Sequence, residues 1–326
     1  MYSIGLDVSK STINVYIPIK ELDIQISNDF KSLKSLYSKL KKYYKKEVSK
    51  LVFVYEPTGS YSVLLSKFCN KQLINCFVVN PKKSVNFAKA IGNRNKTDID
   101  DARMLSQMIV TAKEQEIKIP VINKTVDEIK ELISYYKFLI KEQQQNANHL
   151  EAVSVKEGSA LVIKTIKQIL ASLKKKEQIV LLSIKKIIAS DKKLYQSYLN
   201  IQTIKGIGEV SAIVLLHHFI KYPNTNQRQI VSLAGLDPVH KSSGTSIKGK
   251  AKISKAGCNI CRSTLFMATL VAVQHNEELK TFYNRLKDNG KHTTVAQIAV
   301  MRKMIVLAHT LYKNNEVYDC NRFKQI

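Results

Sequence analysis

Acidic residues are scarce in this chain: Asp and Glu number 26 against 52 Lys and Arg, a formal charge of +26. With 44% apolar residues the sequence is too hydrophobic to be a disordered basic tail. The shortage of acid therefore marks a folded protein that meets a polyanion, nucleic acid first among them. Cysteine is sparse as well. Cys69, Cys76, Cys258, Cys261 and Cys320, spread over 326 residues, do not make a disulfide scaffold. The opening "MYSIGLDVSK" lacks the charged segment and apolar core of a signal peptide. No apolar run approaches about 18 residues, so no membrane span is expected and the location is expected to be cytosolic.

What is present divides by pattern. "YSIGLDV", "TINVYIPI" and "LDIQIS" read as three closely spaced strands, an antiparallel meander. A helix follows with Phe30, Leu33, Leu36 and Leu40 on one face, then "KLVFVYE", the continuous apolar type buried on both faces of a sheet. "SVLLSKFC" reads as a helix, "INCFVVN" as a strand and "DARMLSQMIVTA" as a helix. The order β-β-β-α-β-α-β-α is that of the ribonuclease-H-like fold, which sets the first and fourth strands side by side and parallel. From Val126 to Leu199 glycine is rare and proline absent, and two long stripes run at helical spacing. Val126, Ile129, Ile133, Tyr136 and Ile140 form one; Val162, Ile166, Ile169, Leu173, Val180, Ile184 and Ile187 form the other, with a junction near Gly158. They read equally as a coiled coil used for spacing or dimerisation and as a helical core within one subunit. Short helices dominate the remainder, interrupted by the polar loop "PVHKSSGTSIKGKAKISKAG". The expected fold is α/β plus all-α: a ribonuclease-H-like (resolvase-like) domain over 1–118, a helical, coiled-coil middle over 119–200 and a small helical domain with a serine-bearing loop over 201–326.

Against the basic background, "KTDIDDAR" gathers three carboxylates in four positions. Thr97 is a reasonable N-cap, and Asp98 and Asp101, three apart, share a helix face in the first turn, where the helix dipole favours them. Asp7 and Glu56 each end an apolar strand. In the inferred fold these four acids reach one end of one sheet from three elements. Hard oxygen ligands of that kind hold Mg²⁺ or Mn²⁺, and paired ions can activate an attacking oxygen and stabilise a leaving one. Asp100 points away by about 100° and is the expected bystander.

"GLDVSKST", "EPTGSY", "NPKKSVNFAKAIGNRNKTDIDDARMLSQ" and "GLDPVHKSSGTSIKGKAKISKAG", in this order, resemble the IS-one-ten family of insertion-sequence transposases over roughly 1–112 and 200–312. The resemblance implies a DNA transposase or recombinase in which the acidic tetrad falls on Asp7, Glu56, Asp98 and Asp101. A nucleophilic serine falls on Ser243 rather than Ser242. It also implies Mg²⁺ (or Mn²⁺), double-stranded DNA at element ends and target, a structured guide RNA encoded by the element, a homo-oligomer (dimer or tetramer), and a bacterial, nucleoid-associated setting. A Holliday-junction resolvase-like nuclease would share the tetrad but have no use for Ser243; a DNA invertase is a further reading, and a nucleic-acid-binding protein with a decayed site a non-catalytic one.

Basic residues without acids among them mark candidate backbone contacts. Lys82, Lys83, Lys89, Arg94 and Lys96 lie beside the acidic site; Lys241, Lys248, Lys250, Lys252, Lys255 and Arg262 lie in and after the serine loop. "IKGIGEVSA" reads evenly as a plain turn and as a helix–hairpin–helix element whose Gly206 and Gly208 let N–H groups face a phosphate. Cys258-x-x-Cys261 has zinc-like spacing but no second pair nearby in sequence, and reads as packing. His217 and His218, on an apolar helix, read as structural. The sequence speaks against a tyrosine recombinase, because no Arg-rich pocket surrounds a late tyrosine such as Tyr312 or Tyr318.

Overall fold

The computed structural model describes residues 1–92, 97–240 and 252–320, with the backbone alone of 242–243 and 247–248. Arg94, Lys96, Lys241 and Lys250 lie outside the described residues, as do the side chains of Ser242, Ser243 and Lys248. Contacts divide the chain into two units, Met1–Asn123 and Lys124–Ile326.

The first unit runs β1 (Tyr2–Val8), β2 (Thr12–Ile17), β3 (Leu22–Ser27), α1 (Phe30–Tyr44), β4 (Leu51–Tyr55), α2 (Val63–Gln72), β5 (Asn75–Val78), α3 (Pro81–Ala90), α4 (Asp98–Gln107) and β6 (Ile117–Lys118). Its six-stranded sheet has the order β3-β2-β1-β4-β5-β6. The β1–β2–β3 meander is antiparallel, β1–β4 and β4–β5 are parallel, and β6 returns antiparallel to β5. The expected meander and the expected parallel neighbours are both present. Period-two alternation sorts the side chains. Ile4, Leu6, Phe53 and Tyr55 pack with Leu33, Leu36 and Leu40 of α1 and with Leu65 and Phe68 of α2. Val52, Val54, Phe77 and Val79 face the other way, onto Met104, Leu105 and Met108. β4 is buried at all five positions, the outcome its continuous apolar run implies. Three features differ from expectation, the added edge strand β6 being one. The helix read to Ala112 leaves α-geometry at Gln107 and continues as a 3-10 turn over Met108–Thr111. The basic stretch after β5 is itself a helix, α3.

The second unit is helical: α5 (Lys124–Val155), α6 (Ala160–Ala189), α7 (Lys192–Gln202), α8 (Glu209–Lys221) and α9 (Gln227–Leu233), then after four two-residue strands α10 (Asn259–His275), α11 (Glu277–Asp288) and α12 (Thr293–Asn314). The strands are β7 (Pro238–Val239), β8 (Ser242–Ser243), β9 (Ile247–Lys248) and β10 (Lys252–Ile253). α5 and α6 pair antiparallel across a short junction, and the Gln143 amide donates to Glu177 at 2.8 Å between them. Val126, Ile129 and Ile133 are buried as expected, but burial then passes to Leu139, leaving Ile140, Val162 and Ile169 exposed. The second long helix ends at Ala189 because Asp191 caps a new one, accepting from the backbone N–H of Lys193 and Leu194. The buried residues of α5 and α6 nearest their outer ends join one core with α7–α12. α12 has 22 residues and the mean hydropathy of a membrane span, yet more than half of its apolar window is buried inside the unit. Val300, Met304, Ile305, Ala308 and Leu311 are core residues.

Candidate active site

Where β1, β4 and α4 converge, the carboxylates of Glu56, Asp98 and Asp101 lie within electrostatic reach of Asp7. The parallel register pairs Gly5 with Val54 and Leu6 with Tyr55, so one further step brings Asp7 alongside Glu56. By alternation Asp7 shares a face with Gly5, and Glu56 with Val54. That is the face α4 covers. Its approach is unusually close: a Cβ on Gly5 would lie 1.9 Å from the Ala102 carbonyl oxygen and 2.7 Å from the Ser106 nitrogen. Ala102 is one turn from Asp98 and adjoins Asp101, so this contact seats both carboxylates over Asp7. The Asp7 carboxyl is pushed up from 3.8 to about 6, first by burial and then by the negative charges of Asp101, Asp98 and Glu56.

Asp100 sits in the same turn but at the cap. The Thr97 hydroxyl donates to its Oδ2 at 2.7 Å and accepts from its backbone N–H at 3.2 Å. Arg103 fixes the rotation of α4 from the other side. Its Nε donates to both oxygens of Asp23 on β3, at 3.0 and 3.1 Å, and its guanidinium lies 5.5 Å from the Tyr16 ring centre. Asn14, opposite Asp7 in the β1–β2 register, is buried, accepts from Gln25 at 3.1 Å and leaves its Nδ2 without a hydrogen-bond partner. Gly5, Arg103 and Asn14 went unnoticed in the sequence. Only Gly5 gave a signal, because a glycine inside a strand often marks the close approach of another backbone. The donor set is all hard oxygen, the chemistry that fits Mg²⁺ or Mn²⁺.

The expected nucleic-acid contacts divide. Lys82 and Lys89 are exposed on α3, whose start is fixed by Pro81 and by Asn80 accepting from the Lys82 N–H at 2.9 Å. Lys83, on the same helix, pairs with Glu116 at 2.7 Å. Gly206 has a φ of +103° and lies so close to α10 that a Cβ would come within 2.6 Å of the Ala272 Cβ; Gly208, at the start of α8, faces open space. Arg262 donates to the Ala234 carbonyl at 2.9 Å, and Arg302 to that of Leu236 at 2.6 Å, so both hold the turn after α9. Lys252 and Lys255 line a cavity of about 710 Å³ with these two arginines, Phe266 and Val295.

The serine-bearing segment leaves and re-enters the helical unit through a tight neck. β7 pairs with β10, and the Ser254 hydroxyl bonds Asp237 at 2.5 Å. A Cβ on Gly257 would meet the Gly235 nitrogen at 2.6 Å and the Leu233 oxygen at 2.3 Å. Beyond the neck, β8 pairs with β9 so that Ser243 stands opposite Ile247 and Ser242 opposite Lys248. Directly after the neck, Cys258 begins α10 and accepts from the Cys261 N–H at 3.4 Å. Its thiol is held down to about 4, chiefly by the Cys261 thiol. His217 is pushed down to about 4 by burial. Tyr318 donates to Glu278, and Tyr312 packs 5.4 Å from Phe219.

Two family models match. One, described as "Transposase" and drawn from the DEDD transposases of the IS110 group, covers residues 4–154. The other, described as "Transposase IS116/IS110/IS902 family", covers 198–284. The pilin gene-inverting proteins of Moraxella lacunata and Moraxella bovis are each 26% identical to this chain, over 285 and 286 residues and 83% of both chains. An uncharacterized 43.6 kDa protein of insertion element IS110 from Streptomyces coelicolor is 26% identical over 122 residues, 36% of this chain and 29% of its own. The first matched stretch contains the four converging carboxylates and the second contains the serine-bearing segment with its neck. The chain belongs to the IS110 family of transposases, the IS-one-ten group of insertion sequences, and is an enzyme of DNA recombination.

Proposed function

We propose that the chain recombines the DNA of its insertion sequence, by transposition or inversion, using Asp7, Glu56, Asp98 and Asp101 as a metal-holding tetrad and Ser243 as nucleophile. The observation that supports this most is the raised proton affinity of Asp7, which comes from burial and from its three acidic neighbours. A cluster that repels itself in this way is stabilised by a divalent cation, and its all-oxygen donor set fits Mg²⁺ or Mn²⁺. When bound, such an ion supplies positive charge beside a DNA phosphate and lowers the pKa of an attacking hydroxyl. Asp7 and Glu56 form the rigid side of the site, on paired strands; Asp98 and Asp101 form the side set by α4.

On this reading the Ser243 oxygen bonds to a DNA phosphorus and the bond to one deoxyribose oxygen breaks. That oxygen leaves with a proton, and a deoxyribose hydroxyl of a second strand later reverses the exchange at the serine. Lys252 and Lys255, with Lys241, Lys248 and Lys250, neutralise the phosphates around it. Lys82 and Lys89 with Arg94 and Lys96 hold nucleic acid beside the tetrad. The resemblance adds an element-encoded guide RNA that pairs with donor and target DNA. The ribonuclease-H-like domain is assigned 1–118 and the serine-bearing domain 201–326. The middle, 119–200, acts as a coiled-coil arm whose exposed Ile140, Val162 and Ile169 would be covered by a second copy in a dimer or tetramer. The Moraxella relatives are named for inverting a pilin gene, which supports inversion as one outcome of the same chemistry.

A suicide DNA substrate tests the nucleophile. Wild-type protein should yield a covalent protein–DNA species on denaturing gels, and Ser243→Ala should lose it together with recombination while Ser242→Ala keeps both. An active Ser243→Ala enzyme would overturn the mechanism in favour of a nuclease that uses water.

A further inference from the structure

The helical unit contains a second cluster of ligand atoms, of chemistry opposite to that of the tetrad. His218 on α8 and Cys258 and Cys261 at the start of α10 place one imidazole nitrogen and two sulfurs within 4.8 Å of one another. A tetrahedral zinc with Zn–S near 2.3 Å and Zn–N near 2.1 Å sets its ligand atoms roughly 3.5–3.8 Å apart, so small rotamer adjustments suffice. His218 and Cys261 are fully buried and Cys258 is half-buried. The Nε2 of His218 has no hydrogen-bond partner, a state that costs free energy in an interior unless something satisfies the ring. The Cys261 backbone N–H already points at the Cys258 sulfur, the kind of outer contact that steadies a metal-bound thiolate.

We propose that His218, Cys258 and Cys261 hold a soft divalent cation of the zinc class, fastening α8 to the base of the serine-bearing segment. Two thiolates and a neutral imidazole on a divalent cation sum to zero charge, which suits a buried position. Thiolate donors select zinc over magnesium, whereas the carboxylate tetrad selects the reverse, so one chain sorts two metals by donor softness. Cys258 keeps a half-exposed side from which solvent supplies a fourth ligand. A Cys258–Cys261 disulfide is the competing state of the same pair, but it would leave the His218 Nε2 unsatisfied. Position gives the site its role. Cys258 follows Gly257 directly, and its N–H donates to the Leu233 carbonyl at 2.9 Å, at the end of α9. A metal here therefore joins α8, α9 and α10 where the segment carrying Ser243 enters and leaves. The effect on recombination rests on the assignment of Ser243; metal binding does not.

The test uses full-length protein purified under reducing conditions without metal-affinity resin. Elemental mass spectrometry should find about one zinc per chain, and exchange with Co²⁺ should give a near-ultraviolet thiolate-to-cobalt charge-transfer band. Cys258→Ser, Cys261→Ser and His218→Gln should each lower zinc affinity at least about ten-fold, while Asp7→Asn leaves zinc content unchanged. Wild-type protein that carries no zinc and shows no charge-transfer band with Co²⁺ would overturn the proposal, without any variant having to fold. So would variants that retain the band. Loss of the covalent DNA species in Ser243→Ala is read separately. A failed zinc site with an intact adduct, or the converse, tells the two proposals apart.

Discussion

Gly5→Ala is the most informative single substitution, because it adds one methyl where β1 and α4 touch through their backbones. The new Cβ would start 1.9 Å from the Ala102 oxygen and 2.7 Å from the Ser106 nitrogen. Neither atom belongs to a side chain that can rotate aside, so α4 must retreat by more than about 1 Å to restore van der Waals distance. Overpacking of this kind costs about 1–3 kcal/mol, which should lower the melting temperature of the sheet unit by several degrees. The larger effect is on the site. Asp98 and Asp101 travel with α4 while Asp7 and Glu56 stay with the sheet, and ligand distances tolerate only about 0.2 Å. A misplacement near 1 Å costs on the order of 100-fold in rate, so recombination should fall at least that far at a temperature where the variant is still folded. Recombination in cells, beside thermal melts with and without Mg²⁺, provides the assay. Wild-type melting and wild-type activity in Gly5→Ala would refute the packing argument and, with it, the claim that α4 is held by backbone contact.

Asp7→Ala, Glu56→Ala, Asp98→Ala and Asp101→Ala should each abolish strand transfer in a folded protein, checked by circular dichroism. Asp100→Ala should lose only its share of the cap, about 1 kcal/mol or less, and remain active; the opposite ranking of Asp100 and Asp101 would show the helix face to be misassigned. Without divalent ions, Asp7 stabilises the fold below its ordinary pKa of 3.8, and that contribution is lost as pH rises through about 6. Undiscounted the shift amounts to about 3 kcal/mol, and solvent screening of a half-exposed carboxyl leaves about 1–2 kcal/mol. Melts of wild type against Asp7→Asn across this window should diverge as pH rises, and added Mg²⁺ should close the gap. His217 and His309, both held down to about 4 by burial, act in the other direction: their stabilisation is present above 6.5 and lost as pH falls. His309→Gln should flatten the acid limb of the helical unit alone.

The sheet was legible because its pattern is strong. Three closely spaced strands, one doubly buried strand and a helix capped by Thr97 were enough to bring Asp7, Glu56, Asp98 and Asp101 toward one sheet end. α3 was missed because its apolar residues are few: Val85 is exposed, and only Phe87 and Ala88 pack against the sheet core. Its real signals were Asn80 and Pro81 at the helix start, overshadowed by the lysines that follow. β6, two residues long, has no periodicity to read. The step from Ile140 to Leu139 on α5 reflects the choice of partner surface, which helical spacing alone does not specify. Cys258 and Cys261 looked solitary since their third member, His218, lies 40 positions away on another helix, a proximity that only packing creates.

The neck between Gly235 and Gly257 also determines what can be exchanged. Its two sides already touch, so each doubling of the segment between them adds only about 0.6 kcal/mol of closure entropy. With the β7–β10 pair kept, the segment between Val239 and Lys252 is then a cassette: replacing it with a two-residue turn should leave α8, α9 and α10 assembled. Such a chain would be a folded recipient into which segments from other recombinases could be grafted and compared on one scaffold.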